Sequence, residues 1–293
     1  NVLKYWVRSK NADMHLIPTD TLYVTIDKEA VKKSGMMMAC DSIPDKMVIS
    51  LKGKNALYKG DLMMLEMIAQ CNWTRPIYVA ITVGQENYMN LGDNFIQEGL
   101  ANRISPFTTN APGAKNFDTE KVYNNMMHRF KFGGIDKKGI YIDETVMRMC
   151  YTHRRQFTQL AMSLINEGKK AKAAQVLAYC DKMIPSYNVP IDYQSGSIDE
   201  AKAYAAIGQR AKAKTLFSAL WNKSQQYLNW YISLDGSRFE QAQQDCLLHF
   251  YIMQQIIEDS QYIDRAWALQ KQKSLSMLLS AYQGKGGQLP KQQ

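Results

Sequence analysis

The chain has 293 residues, 46% of them hydrophobic and 22% charged, with 36 Lys and Arg against 27 Asp and Glu for a net charge of +9. That composition belongs to a globular chain long enough for one large domain or two ordinary ones, and it excludes intrinsic disorder. No run reaches the ~18–20 apolar residues of a membrane span, and no signal-peptide pattern opens the sequence, which begins at Asn1 like a fragment or a processed chain.

In chain order, residues 1–20 read as an entry segment with Tyr5, Trp6 and Val7 ahead of an Ile17-Pro18 break. The β-rich alternation of Thr21 to Ile26 predicts a strand. Residues 27–46 read as loop, and the Met36-Met37-Met38 run within them as a covered loop, with a flexible apolar plug or a partner contact as alternatives. Met47 to Leu51 predicts a second strand, and Asp61 an N-cap for a helix over Leu62 to Gln70. Ile77 to Val83 is the longest run that is nearly all apolar and β-branched, which predicts a strand covered on both faces at the centre of a sheet. Residues 47–83 then form a right-handed βαβ unit. Asn87 to Leu100 reads as a helix, Arg103 to Phe107 as a short strand, residues 108–116 as a loop, and Asp118 to Phe130 as a short helix ended by Gly133-Gly134. Gly139 to Ile142 is a small strand or an extended connector.

From Asp143 onward helical spacing takes over, so the boundary falls at Ile142, with a small α/β sheet domain over 1–142 and a helical domain over 143–293. Leu160, Ala161, Leu164, Gly168, Ala173, Leu177, Cys180 and Pro185 stand at spacings similar to the 34-residue tetratricopeptide pattern. Ala201, Tyr204, Gly208, Ala213, Phe217 and Leu220 repeat them after a longer link. A third pair, Phe239–Ile257 and Tyr262–Tyr282, lacks the turn glycine and reads as a cap. The fold class is α+β followed by α: a sheet domain, then a tetratricopeptide-like α-solenoid with a frayed tail from Gly284.

Little in this chain points to chemistry. The five cysteines are scattered, with no CxxC and no neighbouring His in metal spacing, and read mostly as buried apolar residues. His15, His128, His153 and His249 are isolated, and neither HExxH, GxSxG nor a phosphate-binding glycine loop occurs, so no metal, cofactor or catalytic residue is assigned. Asp143-Glu144 reads as a helix cap and a dipole-favouring acid with Arg148 at i+4, not as a catalytic pair. Asn72-Trp73-Thr74 is a glycosylation sequon expected to go unused beside a buried strand. Residues 121–180 hold 11 Lys and Arg against 4 acids, a local +7. That segment is a solvated helix face beside a membrane surface, or a surface for anionic lipid or an acidic partner; nucleic acid is set aside because no recognition module accompanies it. Arg75 at the strand entrance, Arg148, His153, Arg154 and Arg155 on the first long helix, and Tyr204 on the repeat are the candidate partner-binding residues.

Asn72 to Ala80, then Asn87-Tyr88, Gln97 to Arg103 and Tyr141 to Glu144 with Arg148, resemble in order the C-terminal soluble part of a bacteroidete multi-pass membrane family related to protein O-mannosyltransferase-type glycosyltransferases. The resemblance spans most of residues 20–220. It implies an N-terminal block of membrane spans outside this sequence, catalysis in a loop of that block, and a periplasmic place for this domain at the cytoplasmic membrane. This part is then non-catalytic and binds an acceptor polypeptide or a partner protein. The rivals are a free-standing tetratricopeptide-type scaffold and a glycoside hydrolase with two facing carboxylates.

Overall fold

A computed structural model of the chain describes residues 7–8, 15–17, 19–110 and 112–289. Tyr5, Trp6, Pro18, Ala111 and the end of the tail lie outside them. The chain divides into two compact units, Asn1–Arg129 and Phe130–Gln293.

In the first unit, β1 (Val7–Arg8) pairs antiparallel with β2 (His15–Leu16). β3 (Thr21–Thr25) leads to a short helix α1 (Lys28–Lys33) capped by Asp27, whose carboxylate accepts the Ala30 N–H at 3.0 Å. Residues 27–46 are therefore not loop throughout. β4 (Lys46–Ser50) returns antiparallel to β3, setting Leu22 opposite Ile49 and Val24 opposite Met47. These four are buried, while Tyr23 and Val48 face out, the period-2 pattern of a sheet covered on one face. Of the methionine run, Met36 is buried and packs in the core, Met37 lies against it, and Met38 is exposed.

α2 (Lys59–Gln70) starts three residues earlier than its apolar stripe suggests. Asp61 is not its cap: it sits in the first turn, and its carboxylate reaches back to the Tyr58 N–H at 3.0 Å. After α2, Asn72 and Trp73 both take left-handed backbone conformations, φ +46° and +60°. Burying the Trp73 ring offsets that strain. Asn72 itself is exposed.

The expected central strand is an edge. β5 (Tyr78–Ala80) pairs antiparallel with β7 (Ala101–Ile104), which also pairs with β6 (Phe95–Gln97), giving the order β5-β7-β6. No parallel βαβ unit forms over 47–83, because β4 and β5 belong to different sheets. Tyr78 and Ala80 are exposed; the buried centre is β7, with Arg103 and Ile104. The helix expected over 87–100 is replaced by turns and β6. Left-handed Met89 and Asn90 break helical geometry there, and Phe95 to Gln97 spend their backbone on β7. The buried Glu98 ties the sheet together: its carboxylate accepts from the Tyr78 hydroxyl at 2.6 Å and Lys121 Nζ at 2.7 Å. Burial and that carboxylate push the Tyr78 hydroxyl up to about 12. α3 (Thr119–Asn124), capped by Asp118, runs into a π-helical turn over Asn125–Arg129.

The second unit begins at Phe130, thirteen residues before the expected boundary. Phe132 packs on Phe157 and Tyr179 at 5.8 and 6.2 Å, and Asn188 Nδ2 donates to the carbonyls of Ile135 and Lys137. These long-range contacts fix the 130–142 connector, which has no strand, to the helices. Six helices follow: α4 (Glu144–Asn166), α5 (Lys170–Met183), α6 (Ser197–Ala206), α7 (Arg210–Ser233), α8 (Gly236–Ser260) and α9 (Arg265–Gly284). α4 packs on α5, α6 on α7 and α8 on α9, while α4 meets α6 and α7 meets α8. Gly168 and Gly208 turn the first two hairpins at φ +75° and +89°, where a side chain would be strained. Leu160, Ala161, Leu164, Ala173, Leu177, Ala201, Ala213, Phe217 and Leu220 are all buried at the spacings that pointed to the hairpins. α7 and α8 run 24 and 25 residues, too long for a strict 34-residue period.

Candidate functional site

Asp143 begins α4, its carboxylate accepting the Val146 N–H at 2.8 Å, with Glu144 paired to Arg148 one turn on. This places Arg148, Tyr151 and Arg155 on one face of the helix. That face, the 193–199 stretch opening α6, and Gln255 of α8 line a cleft of about 610 Å³. The first helix of each hairpin therefore contributes to one concavity. Gly196 lines it at φ +76°, and a Cβ there would stand 2.8 Å from Arg155 Cγ, so the bare glycine lets the arginine stem lie flat on the backbone. Arg155 is exposed, donates only to Thr152 Oγ1 at 3.3 Å, and enters no ion pair among the described residues. Lys202 is held by Asp199 at 2.7 Å and Arg148 by Glu144, both exposed pairs of the kind that contributes little.

Arg154 points the other way. It is 3% exposed, and its guanidinium is the hub of the α5–α6 connection. Nη2 donates to the carbonyls of Ile184 and Val189 at 3.0 and 2.8 Å, and Nη1 to Pro190 O at 3.0 Å and Ser195 Oγ at 3.4 Å. The planar fork suits such divergent acceptors, which a lysine cannot reach together. His153 sits edge-on to Phe130 and Phe132, its Nδ1 buried without a partner, and burial lowers its pKa.

Arg154 also lines a second cavity of about 380 Å³ with Asp181 of α5, Glu200 and Tyr204 of α6, and Lys212 of α7. The Tyr204 hydroxyl donates to Asp181 Oδ2 at 2.8 Å, and Lys212 Nζ reaches the same oxygen at 2.5 Å while lying 4.6 Å from the Tyr204 ring centre. Burial, then the Asp181 charge, raise the Tyr204 hydroxyl far above its ordinary range. Glu200 is 4% exposed, and burial pushes its carboxyl up to about 7 against the opposing pull of Arg154.

The six candidate residues thus do not form one site. Arg148 and Arg155 share the first cleft, Arg154 and Tyr204 the second cavity, and His153 is enclosed by rings. Arg75 is exposed in the other unit, beside a crevice of about 10 Å³ that is too small for a ligand. Sequence reasoning missed Asp181, Glu200 and Lys212. The Glu200-x-x-x-Tyr204 spacing on one helix face was the available signal, hidden because an acid in a first helical turn reads as a dipole partner. Among the described residues no group of three or more His, Cys, Asp or Glu could hold a metal ion, and no helix is long and apolar enough to cross a membrane. The five thiols are free, those of Cys150, Cys180 and Cys246 buried.

Residues 2–123 match the family model described as TMEM260-associated domain 2. The match falls within the first unit and covers less than half of the chain. No curated protein and no solved structure matches the chain.

Proposed function

We propose that the helical unit holds a polypeptide in the cleft over Arg155, as the non-catalytic, periplasmic binding part of a membrane glycosyltransferase related to TMEM260. The match over residues 2–123 and the ordered motifs from Asn72 to Arg148 support the attachment. Two hairpins with glycine turns and a third without one support a tetratricopeptide-like solenoid, whose inner surface is built from the first helix of each hairpin. The bound polypeptide is the acceptor of the sugar or a protein that docks the enzyme.

The observation that carries this reading is the unpaired Arg155 in a cleft spanning α4, α6 and α8, flanked by Tyr151 and Tyr193. A cation with no internal carboxylate favours an acidic side chain on the guest, and the two phenol rings supply rigid contact area. The purified chain is therefore expected to retain acidic decapeptides from an array in preference to basic ones. Arg155→Glu combined with Lys202→Glu should weaken that retention by about tenfold or more. Equal retention of acidic and basic peptides, or no loss in the double variant, would overturn the cleft as the contact. The membrane attachment has its own test: an antibody to this domain should detect a polypeptide much larger than this chain that stays in washed membranes. A soluble band of this chain's own size would withdraw it.

A further inference from the structure

The second cavity has an imbalance of hydrogen-bonding groups. Both Tyr204 and Lys212 bond the same Asp181 oxygen, Oδ2, which leaves Oδ1 open. Glu200 enters no ion pair among the described residues, although its side chain is buried beside Arg154 and Asp181. Arg154, the nearest fixed cation, has both terminal nitrogens committed to the 184–190 carbonyls and Ser195. Asp181 Oδ1 is open, and the charged donors are committed to protein partners, Lys212 through a half-exposed side chain that can swing into water. Ile184, Pro185, Ile191 and Leu216 add apolar surface, with Ser186, Tyr187 and Thr215 beside them.

We propose that this cavity binds a cationic head on an apolar stem, an ammonium or guanidinium, with Glu200 and Asp181 accepting its donors and the stem lying on Ile184, Ile191 and Leu216. An ammonium brings three donors and no acceptor, a guanidinium five, which complements the open oxygens. A buried carboxylate with no ion-pair partner costs the fold free energy that such a cation recovers. The groups facing the head are Arg154 from α4, Asp181 from α5, Glu200 and Tyr204 from α6, and Lys212 from α7. The first charge opposes binding and is screened by the two carboxylates; Lys212 leaves Asp181 as the guest enters. This site is separate from the cleft over Arg155, and its existence does not rest on the function proposed for that cleft.

The test uses Nα-acetyl-lysine N-methylamide and its analogue without the ammonium, Nα-acetyl-norleucine N-methylamide, titrated into the intact chain and followed by methyl NMR. The lysine compound should shift the Ile184, Ile191 and Leu216 signals saturably in the low millimolar range and lower the pH at which Glu200 titrates, and the norleucine compound should not. Glu200→Gln should weaken binding by about tenfold or more. Its loss cannot be ascribed to unfolding if its helical circular dichroism is unchanged, and Asp181→Asn gives a second, independent reading. Tighter binding of a lysine-bearing pentapeptide than of the capped residue would identify a polypeptide as the source of the cation; equal affinity would identify a small amine. Equal shifts with lysine and norleucine, or none with either, would overturn the proposal.

Discussion

Replacing Arg154 with Ala is expected to destabilise the helical unit by about 3–5 kcal/mol, enough to unfold a marginal domain. The buried carbonyls of Ile184 and Val189, the part-buried one of Pro190 and the Ser195 hydroxyl converge on the guanidinium, and truncation takes the side-chain donor from all three carbonyls of the α5–α6 connection. Each such acceptor costs about 1–3 kcal/mol, less than additively because the loop relaxes. Arg154→Lys should recover less than half of the loss, since one ammonium cannot serve acceptors spread around a planar fork. Urea denaturation followed by helical circular dichroism measures both. A loss below about 1 kcal/mol for Arg154→Ala would show that the connection holds without its hub. The same substitution explains why a charge reversal at Arg154 is a poor probe of binding, whereas one at the adjacent Arg155 is a fair one.

Glu200→Gln is expected to stabilise the chain at pH 8 by up to about 3 kcal/mol and to change little at pH 5. The wild-type carboxyl is raised from its ordinary 4.5 to about 7, so between those values the folded state binds more protons than the unfolded one. Stability from this group is fully present below about 4.5, falls as the pH rises through 7, and is flat above it. The cause is desolvation first, opposed by Arg154 and reinforced by the Asp181 charge. His153 and His249, both lowered by burial, act in the opposite sense as the pH falls below their ordinary value. The difference between wild type and variant isolates Glu200 from them. Chemical denaturation at pH 5, 6, 7 and 8 should give two curves that converge at the acid end; parallel curves would mean that Glu200 is not desolvated.

The helical unit was largely legible in the sequence. Its hairpins announce themselves through small residues at 161, 173, 201 and 213, glycines at the turns, and a carboxylate cap at Asp143, all local features with a 3.6-residue period. The sheet unit was legible only in part. β3 and β4 followed from alternation, but the apolar run at 77–83 led to a buried parallel strand that does not exist. β-branched residues favour a strand without saying which edge of a sheet it occupies or what covers it, and Tyr78 satisfies the open face through Glu98, twenty residues away. The helix expected over 87–100 failed for a related reason: its apolar residues, Leu91 and Phe95, are indeed buried, but in turns and a strand set by pairing with β7.

The candidate sites divide in the same way. Arg154 and Arg155 are neighbours with the same charge, and nothing in their sequence context separates the buried hub from the exposed cleft residue. The 100° step between consecutive helix positions puts them on different faces, and only the packing of the α5–α6 connection decides which face is inside. Asp181, Glu200 and Lys212 come from three helices and meet only when α5, α6 and α7 close around one cavity. In the helical unit the sequence by itself determined where the first helix starts, where the first two hairpins turn and which small faces meet, because capping, glycine conformations and apolar spacing act within a few residues. Tertiary structure alone decided the sheet order, the unit boundary at Phe130 and the grouping of charges. Those depend on contacts tens of residues apart, whose free energy is set by burial and pairing rather than by local propensity.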